Sequence, residues 1–313
     1  VALLSKLGAD QEVQVLALFG PTSVGKSEVA VVLSERLAAN GRRSVIIGAD
    51  SMQLYDGLPL VSGAASAAQR ARAAHRLIGS VPIDSEFSAG QYAALAHAEI
   101  DRAIEDGEVP IVVGGTGLYL QAALTEMPMR PPISPATEET LQQQLEDDGA
   151  DSLHERLAAQ VPAAAARIHV SDHRRLLRAL ALLAEGQSLD DQDGGIWTSQ
   201  TRHATRLIGL TCDRADLYSR IDRRVEEIAA AGGADEVRAA LDAGASRTAK
   251  MALGFRELQD GDLEAMKQAT RRYAKRQLTW LAKLDHAELI DVGGRSAEQV
   301  AEQILSGDSG SAA

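Results

Sequence analysis

Apolar positions along the chain follow two rhythms. Residues 13–19 form a short, mostly apolar run that stops at Gly20, whereas residues 27–37 place apolar side chains at helical spacing, with Val29, Ala30, Leu33 and Leu37 three or four apart. The opening therefore reads strand, glycine-rich loop, helix. Two further apolar runs, residues 44–47 and 110–113, end in Gly48-Ala49-Asp50 and Gly114-Gly115, and a helical pattern follows the second from Leu118. Strands alternating with helices predict an α/β fold built on a parallel sheet with flanking helices.

Beyond Met127 the rhythm changes. Pro128, Pro131, Pro132 and Pro135 predict a stiff connection, and amphipathic segments follow with no strand candidate until residues 206–210. This pattern predicts an all-helical insertion domain over residues 127–199, set between core segments 1–126 and 200–313. Residues 189–199, rich in Asp and Gly, are expected to form a mobile loop. From Asp213 the helical spacing returns over residues 217–231 and 263–284, then come a short strand at 287–290 and a last helix from Ala297. The tail from Gly307 is expected to be disordered.

Composition refines this outline. The chain is 45% apolar and 24% charged, ordinary for a globular protein, and its 3% aromatic content predicts an aliphatic, helix-rich interior. No stretch reaches the roughly 18 consecutive apolar residues of a membrane span, and Lys6, Asp10 and Glu12 do not form a signal peptide, so a cytoplasmic protein with no membrane partner is expected. The single cysteine, Cys212, excludes an internal disulfide and reads as a small core residue at a strand end. His75, His169 and His173 are too scattered for a metal site; the latter two read as structural or RNA contacts.

A net charge of −12 argues against nucleic-acid binding by overall basicity. Its distribution is uneven: residues 126–200 carry 13 acidic and 6 basic side chains, whereas Lys267, Arg271, Arg272, Lys275, Arg276 and Lys283 meet no acid between them. Arg271, Arg272, Lys275 and Arg276 recur three to five apart, sharing a helix face that Trp280 continues, and are either a solvated basic stripe or an RNA contact.

Between the first strand and helix lies Gly20-Pro21-Thr22-Ser23-Val24-Gly25-Lys26-Ser27, which fits G-x-x-x-x-G-K-[ST] in the context that motif requires. Consecutive backbone N–H groups and the helix N-terminus would face a diphosphate, with Lys26 adding charge and Ser27 able to ligate Mg²⁺. A P-loop NTPase-like sheet follows, but phosphate binding alone does not choose a reaction, because ATPases, GTPases and small kinases share the motif. The strand ending in Gly114-Gly115-Thr116-Gly117 lacks the acid an ATPase usually places there. Asp50, on a strand expected to neighbour the phosphate-loop strand, becomes the leading chemical residue, as general base or as metal partner; a helix cap by Asp50 and Ser51 is the alternative.

With the phosphate loop, Ala49-Asp50-Ser51-Met52-Gln53-Leu54-Tyr55 and Val113-Gly114-Gly115-Thr116-Gly117-Leu118-Tyr119-Leu120 resemble the tRNA dimethylallyltransferase family in sequence and order. Ala166-Arg167-Ile168-His169, Arg174-Arg175-Leu176-Leu177-Arg178-Ala179-Leu180 and Leu217-Tyr218-Ser219-Arg220-Ile221-Asp222-Arg223-Arg224-Val225 extend the likeness. Gly254-Phe255-Arg256-Glu257 and Thr270-Arg271-Arg272-Tyr273-Ala274-Lys275-Arg276-Gln277-Leu278-Thr279-Trp280 complete it over residues 15–290. The resemblance implies transfer of a dimethylallyl group from dimethylallyl diphosphate to the exocyclic amine of the adenosine 3′ to the anticodon, with Mg²⁺ required; a monomer is expected, though the sequence itself does not fix the oligomeric state. It implies Asp50 as base, Lys26 and Arg224 as cations for the leaving diphosphate, and Thr116 as a further catalytic residue. Contacts to the tRNA anticodon stem-loop would come from Asp50, Ser51, Met52, Gln53, Thr116, Arg174, Arg175, Arg178, Phe255, Arg256, Lys275 and Arg276.

The chain also departs from the family. After Asp56-Gly57 it reads Leu58-Pro59-Leu60-Val61-Ser62-Gly63-Ala64-Ala65 where an Asp-Ile-Gly-Thr-Ala-Lys-Pro-like run is usual, so that run's lysine has no counterpart. Glu138 stands where a basic residue is expected and Ala181 where a Glu is. Competing readings are a small-molecule kinase, a non-catalytic RNA-binding protein, and a prenyltransferase of free AMP or ADP; the insertion and basic helix favour tRNA over the last.

Overall fold

A computed structural model describes residues 5–7, 11–127, 133–189, 200–284 and 286–307. Residues 1–127 and 197–313 form one compact unit and residues 128–196 a second. In the first, a small antiparallel pair, β1 (Ser5–Leu7) and β2 (Gln11–Glu12), precedes β3 (Val15–Phe19), α1 (Lys26–Ala39), β4 (Ser44–Gly48), α2 (Pro59–Ser62) and α3 (Ala67–Arg72). Next come β5 (His75–Arg76), α4 (Ala89–Glu105), β6 (Val109–Gly114) and α5 (Gly117–Leu124). The second unit holds α6 (Pro135–Gln160), α7 (Pro162–Arg167) and α8 (His173–Ala184). The chain then re-enters the first unit with β7 (Thr205–Thr211), α9 (Arg214–Ala230), α10 (Gly233–Asp242), α11 (Phe255–Asp260), α12 (Leu263–Leu281), β8 (Glu288–Asp291) and α13 (Ala297–Ser306).

The main sheet is parallel throughout, in the order β5-β4-β6-β3-β7-β8. Strand alternation divides the core: Val15, Ala17 and Phe19 pack with Val45, Ile47, Val112, Tyr92 and Leu120 on one face. Leu16 and Leu18 pack with Ile46, Ile111, Leu33 and Ile304 on the other. Both faces are thus covered, which is why these strands read as nearly continuous apolar runs. One expectation needs correcting: β4 is not the neighbour of β3. The later strand β6 sits between them, pairing Leu16 with Ile111 on one side and Ile111 with Ile46 on the other. Chain order does not fix strand order, and a crossover can leave a slot that a later strand fills.

Short polar pieces escaped the hydrophobic pattern. β5 contributes only His75 and Arg76 at the sheet edge, and α4 begins at a capping box in which Ser88 and Gln91 satisfy each other's backbone. Cys212 follows the end of β7, half-buried against two apolar clusters. The insertion has its own core of Leu141, Leu153, Leu157, Leu176 and Leu180; Ala181 belongs to it, while Glu138 is exposed in the first turn of α6. Pro128, Pro131 and Pro132 of the predicted stiff connection, residues 190–199 of the predicted loop and residues 308–313 of the predicted tail lie outside the described residues. Among the described residues no helix is long and apolar enough to cross a membrane.

Candidate active site

The loop after β3 turns through Ser23 (φ 64°) and Gly25 (φ 106°) into α1. The first N–H groups of that helix have no carbonyl of their own helix to bond, so the end of α1 presents donors and the positive pole of its dipole. The Ser23 hydroxyl is buried without a partner, which a bound anion would supply. Lys26 folds back over the loop, its Nζ donating to the carbonyls of Gly20 at 2.9 Å and Pro21 at 2.8 Å. Burial lowers its pKa to about 8; Asp50 opposes the shift and Arg224 adds to it.

Asp50 follows the end of β4, in a turn where its Oδ1 accepts the Met52 N–H at 3.1 Å; no helix starts there, so the cap alternative does not apply. Part of the residue is open to solvent, but its carboxyl sits among protein atoms. Burial raises its pKa, against the Met52 N–H, Lys26 and Arg224, which favour the anion. Arg224, on α9, is not a surface residue of a charged helix. Its guanidinium lies over the backbone of Gly63, where a Cβ would come within 1.5 Å of Nη2. Burial lowers its pKa, with Asp50 the main opposing influence.

Several links hold this arrangement. Gln53 Nε2 donates to the Gly63 carbonyl at 3.2 Å, and the Glu236 carboxylate on α10 accepts the N–H groups of Leu60 and Val61 at 2.9 and 2.8 Å. Residues 58–63, which depart from the family run, are thus pinned where Gly63 receives Arg224. Arg220, one turn before Arg224, reaches the Val24 carbonyl at 3.4 Å. At the end of β6, Thr116 Oγ1 is 3.1 Å from the Tyr273 hydroxyl, whose pKa burial raises, with a further push from Asp50.

The geometry therefore gathers Gly20 to Ser27, Asp50, Thr116 and Arg224 at the carboxyl edge of one sheet. Ser51, Met52 and Gln53 flank Asp50, each half-buried. Arg256, Lys275 and Arg276 are exposed, and Arg276 lies over the Tyr273 ring at 5.4 Å. Phe255 requires a correction: it is 3% exposed within the core and its side chain offers RNA no surface. The basic stripe also shrinks, because Arg271 pairs with Asp222, and Lys267 bonds Glu226 and Glu264 at 2.9 Å each. In the insertion, Arg174 and Arg175 are exposed on α8 and Arg178 is half-buried, while His169 contacts Ser171. Tyr273 and Gln277 escaped selection from the sequence. Their signal was a four-residue spacing inside the block 270–280; Gly63 and Glu236 gave none.

Residues 53–284 match the family described as IPP transferase. The chain is 42% identical over 284 residues to the tRNA dimethylallyltransferase of Rhodospirillum centenum, covering 85% of this chain and 87% of that one. The crystal structure of the full-length tRNA isopentenylpyrophosphate transferase from Bacillus halodurans superposes with a TM-score of 0.67 at 29% identity, over 94% of each chain. A eukaryotic dimethylallyltransferase crystallised acting on tRNA shares the fold, with a TM-score of 0.71 at 20% identity over 95% of this chain and 80% of that one.

Proposed function

This chain belongs to the IPP transferase family, and we propose on that premise that its cleft transfers a dimethylallyl group from dimethylallyl diphosphate to the exocyclic amine of the adenosine 3′ to the anticodon of a tRNA. The observation that carries this reading is the strand order. Because β6 lies between β3 and β4, the strands that lead into the phosphate loop and to Asp50 are two strand spacings apart, about 10 Å. The intervening strand ends at Gly114, and Gly114 and Gly115 carry no side chains, so the Ala49 backbone and the Gln277 amide approach them closely. That interval suits a diphosphate on one side, an amine at a carboxylate on the other, and the reacting carbon between.

The adenine nitrogen would bond to C1 of the dimethylallyl group as the C1–O bond breaks, its electron pair leaving with the diphosphate. The amine is a feeble nucleophile, its lone pair delocalised into the ring, so a proton must leave as the C–N bond forms; Asp50 accepts it. Lys26, Arg224 and the loop N–H groups would balance the charge growing on the leaving group. The acceptor base must turn out of its loop, which is comparatively cheap in a single strand. Ser51, Met52, Gln53 and Thr116 would then contact it, and Arg174, Arg175, Arg178, Arg256, Lys275 and Arg276 would bind the surrounding RNA.

The donor set suits Mg²⁺: Ser27, in the first turn of α1 beside Lys26, offers one hydroxyl oxygen, and Mg²⁺ characteristically takes one or two protein oxygens plus phosphate and water. Ser27 would hold it, and when bound it supplies further neutralisation of the diphosphate. Labelled dimethylallyl diphosphate and Mg²⁺, incubated with an anticodon stem-loop or with AMP, test the reading. Label is expected in the stem-loop; label in AMP alone, or in neither, overturns it.

A further inference from the structure

The structure assigns a positioning role to Gln277, which ties the phosphate loop to the Gly115-Thr116 loop so that donor cradle and acceptor pocket are held in one register; the assignment deepens the reading above and rests on it. Gln277 lies on the inner face of α12 and is 1% exposed. Its Oε1 accepts the Thr22 N–H at 2.7 Å and its Nε2 donates to the Gly115 carbonyl at 2.7 Å. The two partners fix the amide's orientation, because a backbone N–H needs an acceptor and a carbonyl needs a donor. These loops leave adjacent strands, β3 and β6.

The fit is close. A Cβ on Gly115 would lie 2.3 Å from Nε2, so the glycine is what admits the amide. One turn earlier on the same face, Tyr273 holds Thr116, and Arg276 stacks on Tyr273 from the exposed side. The inner face of α12 thus grips both loops while its outer face presents Arg272 and Lys275 to solvent. A buried amide used at both ends is costly to replace, because truncation leaves a donor and an acceptor unsatisfied.

A carboxylic acid can mimic the amide only when protonated: its O–H then donates to Gly115 and its C=O accepts from Thr22, whereas the carboxylate has no donor. Gln277→Glu is therefore compared with the unaltered protein from about pH 9 to about pH 6, beside the uncharged Gln277→Leu, reading kcat on a stem-loop, Mg²⁺-pyrophosphate affinity by calorimetry, and Tm. The expected ratio of Glu-variant to unaltered kcat is low at high pH, by on the order of ten- to a hundredfold, and recovers on acidification; the Leu variant stays low throughout. If Leu does not fold, Gln277→Met replaces it as the uncharged variant. A Glu deficit that does not shrink on acidification, an uncharged variant with unaltered kcat, or a change confined to Tm overturns the assignment. Should the unaltered protein fail to prenylate RNA, the functional reading falls, while the pyrophosphate titrations still report whether the strap holds the cradle.

Discussion

Replacing Asp50 by Asn separates a base from a phosphate ligand. The amide keeps the shape and can still accept the Met52 N–H, but it cannot take a proton. As general base, Asp50 would be worth on the order of 10²–10⁴ in kcat. Its effect on donor binding is smaller and opposite in sign. At about 10 Å and an effective dielectric of about 20, the carboxylate repels each unit of diphosphate charge by roughly 1.7 kcal/mol before solvent screening, so its loss favours the donor. Against this, Asp50 helps Lys26 keep its proton, and without it the lysine falls further below about 8. Donor affinity is therefore compared well below the pH at which Lys26 loses its proton, and kcat above the Asp50 pKa, which burial raises. A fall in kcat of a hundredfold or more is expected, with donor affinity unchanged or tighter. Turnover within about fivefold of the unaltered protein, or loss of affinity parallel to the loss of rate, would refute the assignment.

Gly63→Ala places a methyl group against Arg224 at a φ of +61°, so it should displace the guanidinium and lower kcat/KM on the order of 10²-fold, as Arg224→Ala should, with a stability cost of at least about 1 kcal/mol read by urea unfolding. On the proposed reading protonated Lys26 binds the anionic donor, so kcat/KM for the donor should fall as pH rises through about 8; Lys26→Arg, whatever its absolute rate, should lack that limb. On the acid side kcat/KM should rise as Asp50 ionises, above the usual carboxylate range because burial raises its pKa. Phe255→Ala should cost roughly 3–5 kcal/mol of stability, whereas Arg256→Ala should leave stability nearly unchanged and flatten the salt dependence of RNA binding; calorimetry and filter binding separate the two.

Local chemistry was legible in the sequence. A strand, a left-handed glycine turn and a helix N-terminus are contiguous, so Gly20 to Ser27 carry the pattern of a phosphate loop in eight neighbouring residues, and Asp50 marks itself by ending an apolar run. The helical insertion was legible for the same reason, because periodicity is a property of adjacent residues. What tertiary structure alone decided lies between residues far apart. The slot left between β3 and β4 is filled by a later strand, β6 (Val109–Gly114), and that strand sets the interval between the two strands that lead into the phosphate loop and to Asp50. Gly63 matters only because Arg224 comes to rest on it, and Gln277 only because Thr22 and Gly115 meet it from two loops. Phe255, beside an exposed arginine in the sequence, is turned inward by packing, and Asp222 on α9 pairs with Arg271 across on α12. Hydrophobic rhythm encodes which face of an element is buried; which partner waits there is fixed only when the elements pack.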